Sequence, residues 1–269
     1  MPLHVMPPAT SLQSCQTPLW GQCPSIRARL ADLFLILLLV VYGSGAIVFQ
    51  FQRPYLLALL LLLPVSVLVW RLCDYRRAVL LAATGAVLGP LTEVFCVAGG
   101  LWTYSQTGAI LYVPPWLPVA WACFPPALWL ISRSVLGGIP GAARGMAVPV
   151  SLAGIGLMVA IFVSLGHSTP LTLAVGLPAA ALVYLAFRQT ATLVLMAGGS
   201  LIGPLCESMP VAAGAWHYAL PEVLGMPGWL PLAYALFAAL VCQAALSVSI
   251  SLCPAPQPRS SQEAACRGF

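Results

Sequence analysis

Eight apolar runs, each close to the roughly 20 residues that an α-helix needs to span a bilayer, divide this chain. They cover approximately Leu30 to Phe51, Tyr55 to Leu72, Ala78 to Leu101, Trp116 to Ser132, Met146 to Leu165, Pro170 to Phe187, Thr190 to Ala215 and Trp229 to Cys253. Only 6% of the 269 residues are charged, against about 25% in ordinary soluble domains. So few charges cannot cover a water-facing surface of this size, which leaves lipid as the solvent. The fold class that follows is all-α: a polytopic membrane bundle of eight transmembrane helices.

The net charge of +5 is carried by arginine alone, since the chain has no lysine. With eight spans, Arg27, Arg29, Arg71, Arg76, Arg77, Arg133, Arg144, Arg188, Arg259 and Arg267 fall on one side, and only Arg53 on the other. That asymmetry predicts a multi-pass protein of the cytoplasmic membrane with both termini in the cytoplasm. It also removes the basic balance as an argument for nucleic-acid binding. The polar first 29 residues lack the apolar core of a signal peptide, so the first run is read as an uncleaved anchor. The stretches 133–145 and 254–269 are read as a cytoplasmic linker and a disordered cytoplasmic tail. The nine cysteines form no CxxC and no Cys/His cluster, so no metal site is expected. Neither a nucleotide loop nor a redox motif is present, and no cofactor is expected.

Self-comparison shows a duplication. Ala78–Tyr104 aligns with Thr192–Tyr218 at an offset of 114, with 12 identities in 27 positions. Pro114–Phe124 then aligns with Pro227–Phe237 at an offset of 113, with 7 in 11. The shared pattern is G-x-x-x-G-P-L-x-E, then V-A-x-G-x-W-x-Y, then P-x-W-L-P-x-A-x-A-x-F. The copies, residues 30–132 and 146–253, each hold four spans. An even number makes the two four-helix repeats parallel, related by an axis along the membrane normal.

Each copy places one glutamate inside a span. Gly85, Gly89 and Glu93 stand four residues apart, as do Gly199, Gly203 and Glu207, so each set lies near one helix face. Glycine strips allow close helix approach. The simplest expectation packs the third span against the seventh; the alternative packs each strip against a helix of its own repeat. Glu93 lies about 15 residues into its span, roughly 22 Å deep at about 1.5 Å per residue. An ionisable side chain at such depth is a functional candidate by default, and removal from water favours the protonated form. Glu93 and Glu207 are therefore the candidate catalytic residues, as general acids or as proton sites.

Trp102, Tyr104, Trp216 and Tyr218 fall where the third and seventh spans exit, and Trp116 and Trp229 where the next spans re-enter. Such positions fit an interfacial aromatic belt. The first four are also the candidate substrate-binding residues, lining the mouth of a site whose rings can stabilise a cation. His217 replaces Thr103, Cys206 replaces Thr92, and Glu222 has no acidic counterpart in the first copy. On a straight helix His217 stands about 15 Å beyond Glu207, and it is read as a surface residue.

The E-x6-G-x-W-x-Y run from Glu93 to Tyr104 and the P-x-W-L-P-x-x-W run from Pro114 to Trp121 resemble two groups. One is a family of uncharacterised small bacterial membrane proteins; the other is the carotenoid hydratase and membrane lycopene cyclase group. The P-x-E-E of those cyclases is replaced by Pro115, Trp116, Leu117 and Pro118, so only Glu93, and by repetition Glu207, carries over as a candidate acid. The resemblance implies an intramembrane acid–base enzyme that protonates a double bond of a lipid or isoprenoid substrate. The alternatives are a proton-coupled small-molecule transporter and a non-catalytic accessory protein. The lipid bilayer is the expected partner in each case, and no nucleic acid is.

Overall fold

The computed structural model describes residues 24–72, 74–106, 111–137 and 147–252. The polar N-terminal tail before residue 24, most of the linker and the C-terminal tail lie outside the described residues. Eight helices form: α1 (Ile26–Gln50), α2 (Pro54–Arg71), α3 (Tyr75–Ala98), α4 (Leu117–Leu136), α5 (Ala147–Leu165), α6 (Thr169–Phe187), α7 (Thr190–Ala212) and α8 (Leu230–Leu252). All eight are long and apolar enough to cross a membrane. Two three-residue strands, β1 (Trp102–Tyr104) and β2 (Trp216–Tyr218), are the one non-helical addition among the described residues.

Caps and turns fix the ends. Ser25 accepts from the Ala28 N–H, and Asp74 from the Arg77 N–H, satisfying first-turn donors. The C-terminal turns of α3 and α7 reverse through Gly100 (φ 75°) and Gly214 (φ 76°), a left-handed step that favours glycine. This explains the glycine of the repeated V-A-x-G-x-W-x-Y: it turns the chain back so that the W-x-Y becomes a strand. One end of the bundle carries that ribbon; the other carries Arg29, Arg71, Arg77 and Arg133.

The central helices are α4 and α8. In their most apolar windows, 50% and 72% of residues are buried, against 17–44% in the other six. Helix α3 packs on α4 and crosses to α8; α7 packs on α8 and crosses to α4. The expected α3–α7 contact is absent, and the alternative packing holds. A Cβ at Gly89 would lie 2.2 Å from the Trp121 ring of α4, and one at Gly203 only 2.1 Å from the Tyr234 ring of α8. Each strip is thus a seat for an aromatic ring of its own repeat. A glycine motif specifies close approach, not the partner.

Prolines free backbone carbonyls within spans, and α1 satisfies two of them. Pro64 removes the donor for Leu60, whose carbonyl accepts from Tyr42 Oη at 3.2 Å. Pro210 removes the donor for Cys206, whose carbonyl accepts from the buried Ser44 hydroxyl at 2.9 Å. At the arginine end, the buried Asp32 of α1 pairs with Arg71 of α2 at 2.6 Å and Arg133 of α4 at 2.9 Å. Arg29 forks onto the carbonyls of Ser134 and Val135 at the α4 terminus.

Candidate functional site

The two strands pair antiparallel, with Trp102 opposite Tyr218, Thr103 opposite His217 and Tyr104 opposite Trp216. Thr103 and His217 are repeat equivalents, 114 apart, so the pseudo-two-fold axis passes through that pair. Below it, Trp121 stacks on Tyr234 with centroids 5.9 Å apart, and Phe124 faces Phe237 at 6.3 Å. These pairs are also equivalents, at an offset of 113. The axis is therefore a column of aromatic pairs inside the bundle.

The glutamates flank this column. Glu93 Oε2 accepts from Trp102 Nε1 at 3.1 Å and Tyr104 Oη at 2.7 Å, while Oε1 accepts from Trp121 Nε1 at 3.0 Å. Glu207 repeats the arrangement: Oε2 accepts from Trp216 Nε1 at 3.3 Å and from Tyr218 Oη, and Oε1 from Tyr234 Oη. The W-x-Y spacing works because residues two apart on a strand share a face. One indole and one phenol thus reach one carboxyl, while the residue between them points away. No hydrogen bond joins the two glutamates, yet they share one cavity wall.

The six site residues singled out from the sequence come together. The belt expectation does not hold, because Trp216, Tyr218, Trp116 and Trp229 are buried in the bundle. Trp116 Nε1 donates to Gln106 Oε1, and Trp229 Nε1 to the Gly166 carbonyl. Although the chain folds back toward Glu207, the exposed His217 sits on the other face of the ribbon. Glu222 accepts from the Thr169 hydroxyl at 2.7 Å and the Gly228 N–H at 2.6 Å, which hold its carboxyl below the usual range. It fastens the loop before α8 to the start of α6 and takes no part in the site.

The sequence reading missed Trp121 and Tyr234, the third donor of each set. They differ between the copies, so an identity search passes over them. The signal was chemical: both are aromatics that carry a hydrogen-bond donor. Asp32 was missed too, though any ionisable residue within a span warrants a partner search.

The glutamates border two hollows. The larger, a cavity of about 160 Å³ with an open mouth, lies between α1, α2, α4 and α7 and is walled mainly by aliphatic and aromatic side chains. The smaller, about 60 Å³, lies toward α5. Matching α1 to α5 at their C-terminal ends sets Gly43, Ser44 and Ile47 against Met158, Val159 and Phe162. These residues line the larger and the smaller hollow respectively. Bulkier side chains fill in the second copy what smaller ones leave empty in the first.

No family model matches the sequence, and no curated protein matches it. Two solved structures do: a mycobacterial Insig homologue from Mycobacterium vanbaalenii and a cross-linked trimer of that homologue. The homologue matches at 20% identity and TM-score 0.54, over 68% of this chain and 97% of its own. The cross-linked trimer matches at 21% and 0.56, over 67% and 97%. These likenesses lend no support to carotenoid chemistry. What they show is the fold: a polytopic helical membrane protein similar to an Insig homologue over two thirds of its length.

Proposed function

We propose that this protein binds an apolar, lipid-like molecule inside the bilayer, its tail between α1, α2, α4 and α7 and its polar end against Glu93 and Glu207. The observation that carries this reading is that the larger hollow is apolar along its length yet ends on both carboxyls. Few convergent polar groups in an apolar pocket are the usual signature of a ligand site. Ile36, Leu39 and Leu68, its lining toward the arginine end, offer no polar lane, which weighs against ion or proton exchange between the two ends. By the positive-inside rule, the arginine end is cytoplasmic.

Acid–base chemistry on the bound molecule is the second reading, favoured by one asymmetry. Glu207 meets two phenols, Tyr218 and Tyr234, whereas two of the three donors to Glu93 are indoles. A phenol can pass a proton, and an indole N–H only donates. Glu207 is then the reactive carboxyl.

Gly43→Met tests the binding reading, because it installs the second copy's residue where a Cβ meets nothing nearer than 4.0 Å. The variant folds and loses the lipids that co-purify with the wild type, read by mass spectrometry of extracts. An unchanged lipid complement would end the reading.

A further inference from the structure

The donors and acceptors of the site say what kind of head group it takes. Eight hydroxyl and indole N–H groups face the larger hollow, and every one is already spent. Six point at the two glutamates, Ser44 donates to the Cys206 carbonyl, and Trp116 to Gln106. No donor of that kind is left for a phosphate, a carboxylate or a carbonyl. What remains is acceptor capacity: Oε1 of each glutamate takes a single hydrogen bond, from Trp121 or Tyr234, while a carboxylate oxygen has room for two.

Charge points the same way. Neither hollow has an arginine or histidine in its wall, so a carboxyl that ionises in this apolar site finds no counter-ion within the wall. Rings surround both carboxyls, with Trp102 against Tyr218 at 5.5 Å and Tyr104 against Trp216 at 5.8 Å. Aromatic faces attract cations, and the effect grows when water is excluded.

We infer that the occupant carries a basic nitrogen: an amphiphile with an ammonium head seated between Glu93 and Glu207 and a tail in the larger hollow. This rests on the binding reading above and adds the chemistry of the head. An ammonium supplies both the donors and the positive charge that the site lacks. A hydroxyl head supplies a donor alone, and an anionic head neither.

The test uses the full-length protein in a neutral sugar detergent, with three probes of equal chain length: hexadecylamine, hexadecanol and hexadecanoate. Binding is read by tryptophan fluorescence, with Gly43→Met as the blank for non-specific partition. The amine binds about tenfold more tightly than the alcohol, and hexadecanoate most weakly. In the double variant Glu93→Gln, Glu207→Gln the amine and the alcohol bind alike. A wild type that holds the alcohol as tightly as the amine overturns the inference and leaves the binding reading standing. If no probe binds above the blank, both fall. An amine preference that survives in the double variant overturns the assignment to the carboxyls. The wild-type series decides on its own should the double variant not fold.

Discussion

At the scale of single residues, the site depends on side chains that are absent. Trp121 and Tyr234 reach their carboxyls only because Gly89 and Gly203 leave room for a ring against the helix backbone. Gly85 and Gly199 act one turn earlier, where a Cβ would stand 2.3 Å from the Trp121 carbonyl and 2.5 Å from the Tyr234 carbonyl. Gly89→Ala and Gly203→Ala should therefore destabilise the fold by about 2 kcal/mol or more through overpacking, despite alanine's better helix propensity. Gly156→Ala, with nothing within 4 Å of the new Cβ, should be neutral or slightly stabilising. Thermal unfolding followed by size-exclusion in detergent measures the difference; equal stabilities for all three variants would refute the ring-seat account. The glycines and glutamates were legible in the sequence because they recur at a fixed step. The rings they seat were not, since tryptophan and tyrosine do the same work in the two copies without being identical.

At the scale of elements, the helices were legible and their partners were not. Apolar length and arginine placement define a span without reference to its neighbours, so all eight appear within a few residues of their expected bounds. Three-residue strands carry no periodicity to read, and β1 and β2 pair across the two repeats, 114 residues apart. Helix α1 shows what ties an element into a membrane bundle, where lipid supplies no hydrophobic drive between helices. Its Ser44 hydroxyl occupies the Cys206 carbonyl that Pro210 leaves open. Ser44→Ala should cost about 0.5–1 kcal/mol. In a Pro210→Ala background the Cys206 carbonyl regains a backbone donor, and Ser44→Ala should then cost close to nothing. A double-mutant cycle reads the coupling, and additive losses would show that the hydroxyl serves another purpose.

At the scale of the whole molecule, the two-fold is kept at the axis and broken at the rim. The ribbon, the aromatic column and the two carboxyl sets keep the same positions and hydrogen-bond pattern in both copies, with Tyr234 standing in for Trp121, whereas the α1–α2 and α5–α6 hairpins line hollows of different size. The first hairpin encloses the larger hollow and is clamped by Asp32, Arg71 and Arg133 at its far end. At the offset of α4 and α8, Arg133 corresponds to Leu246, which is buried among apolar neighbours. Removing Asp32 would leave two arginines facing each other, so the clamp belongs to the copy that holds the hollow. The same arginines predict an orientation. If the positive-inside rule governs its insertion, the ribbon faces away from the cytoplasm, and the carboxyls lie in the outer half of the bilayer. Single cysteines at Thr103 on the ribbon and Tyr75 at the start of α3, both exposed, separate the two orientations in a background with the native cysteines replaced. A membrane-impermeant maleimide should label Thr103→Cys in intact cells and Tyr75→Cys only after permeabilisation. The reverse pattern would invert the topology and place the mouth of the carboxyl site toward the cytoplasmic leaflet.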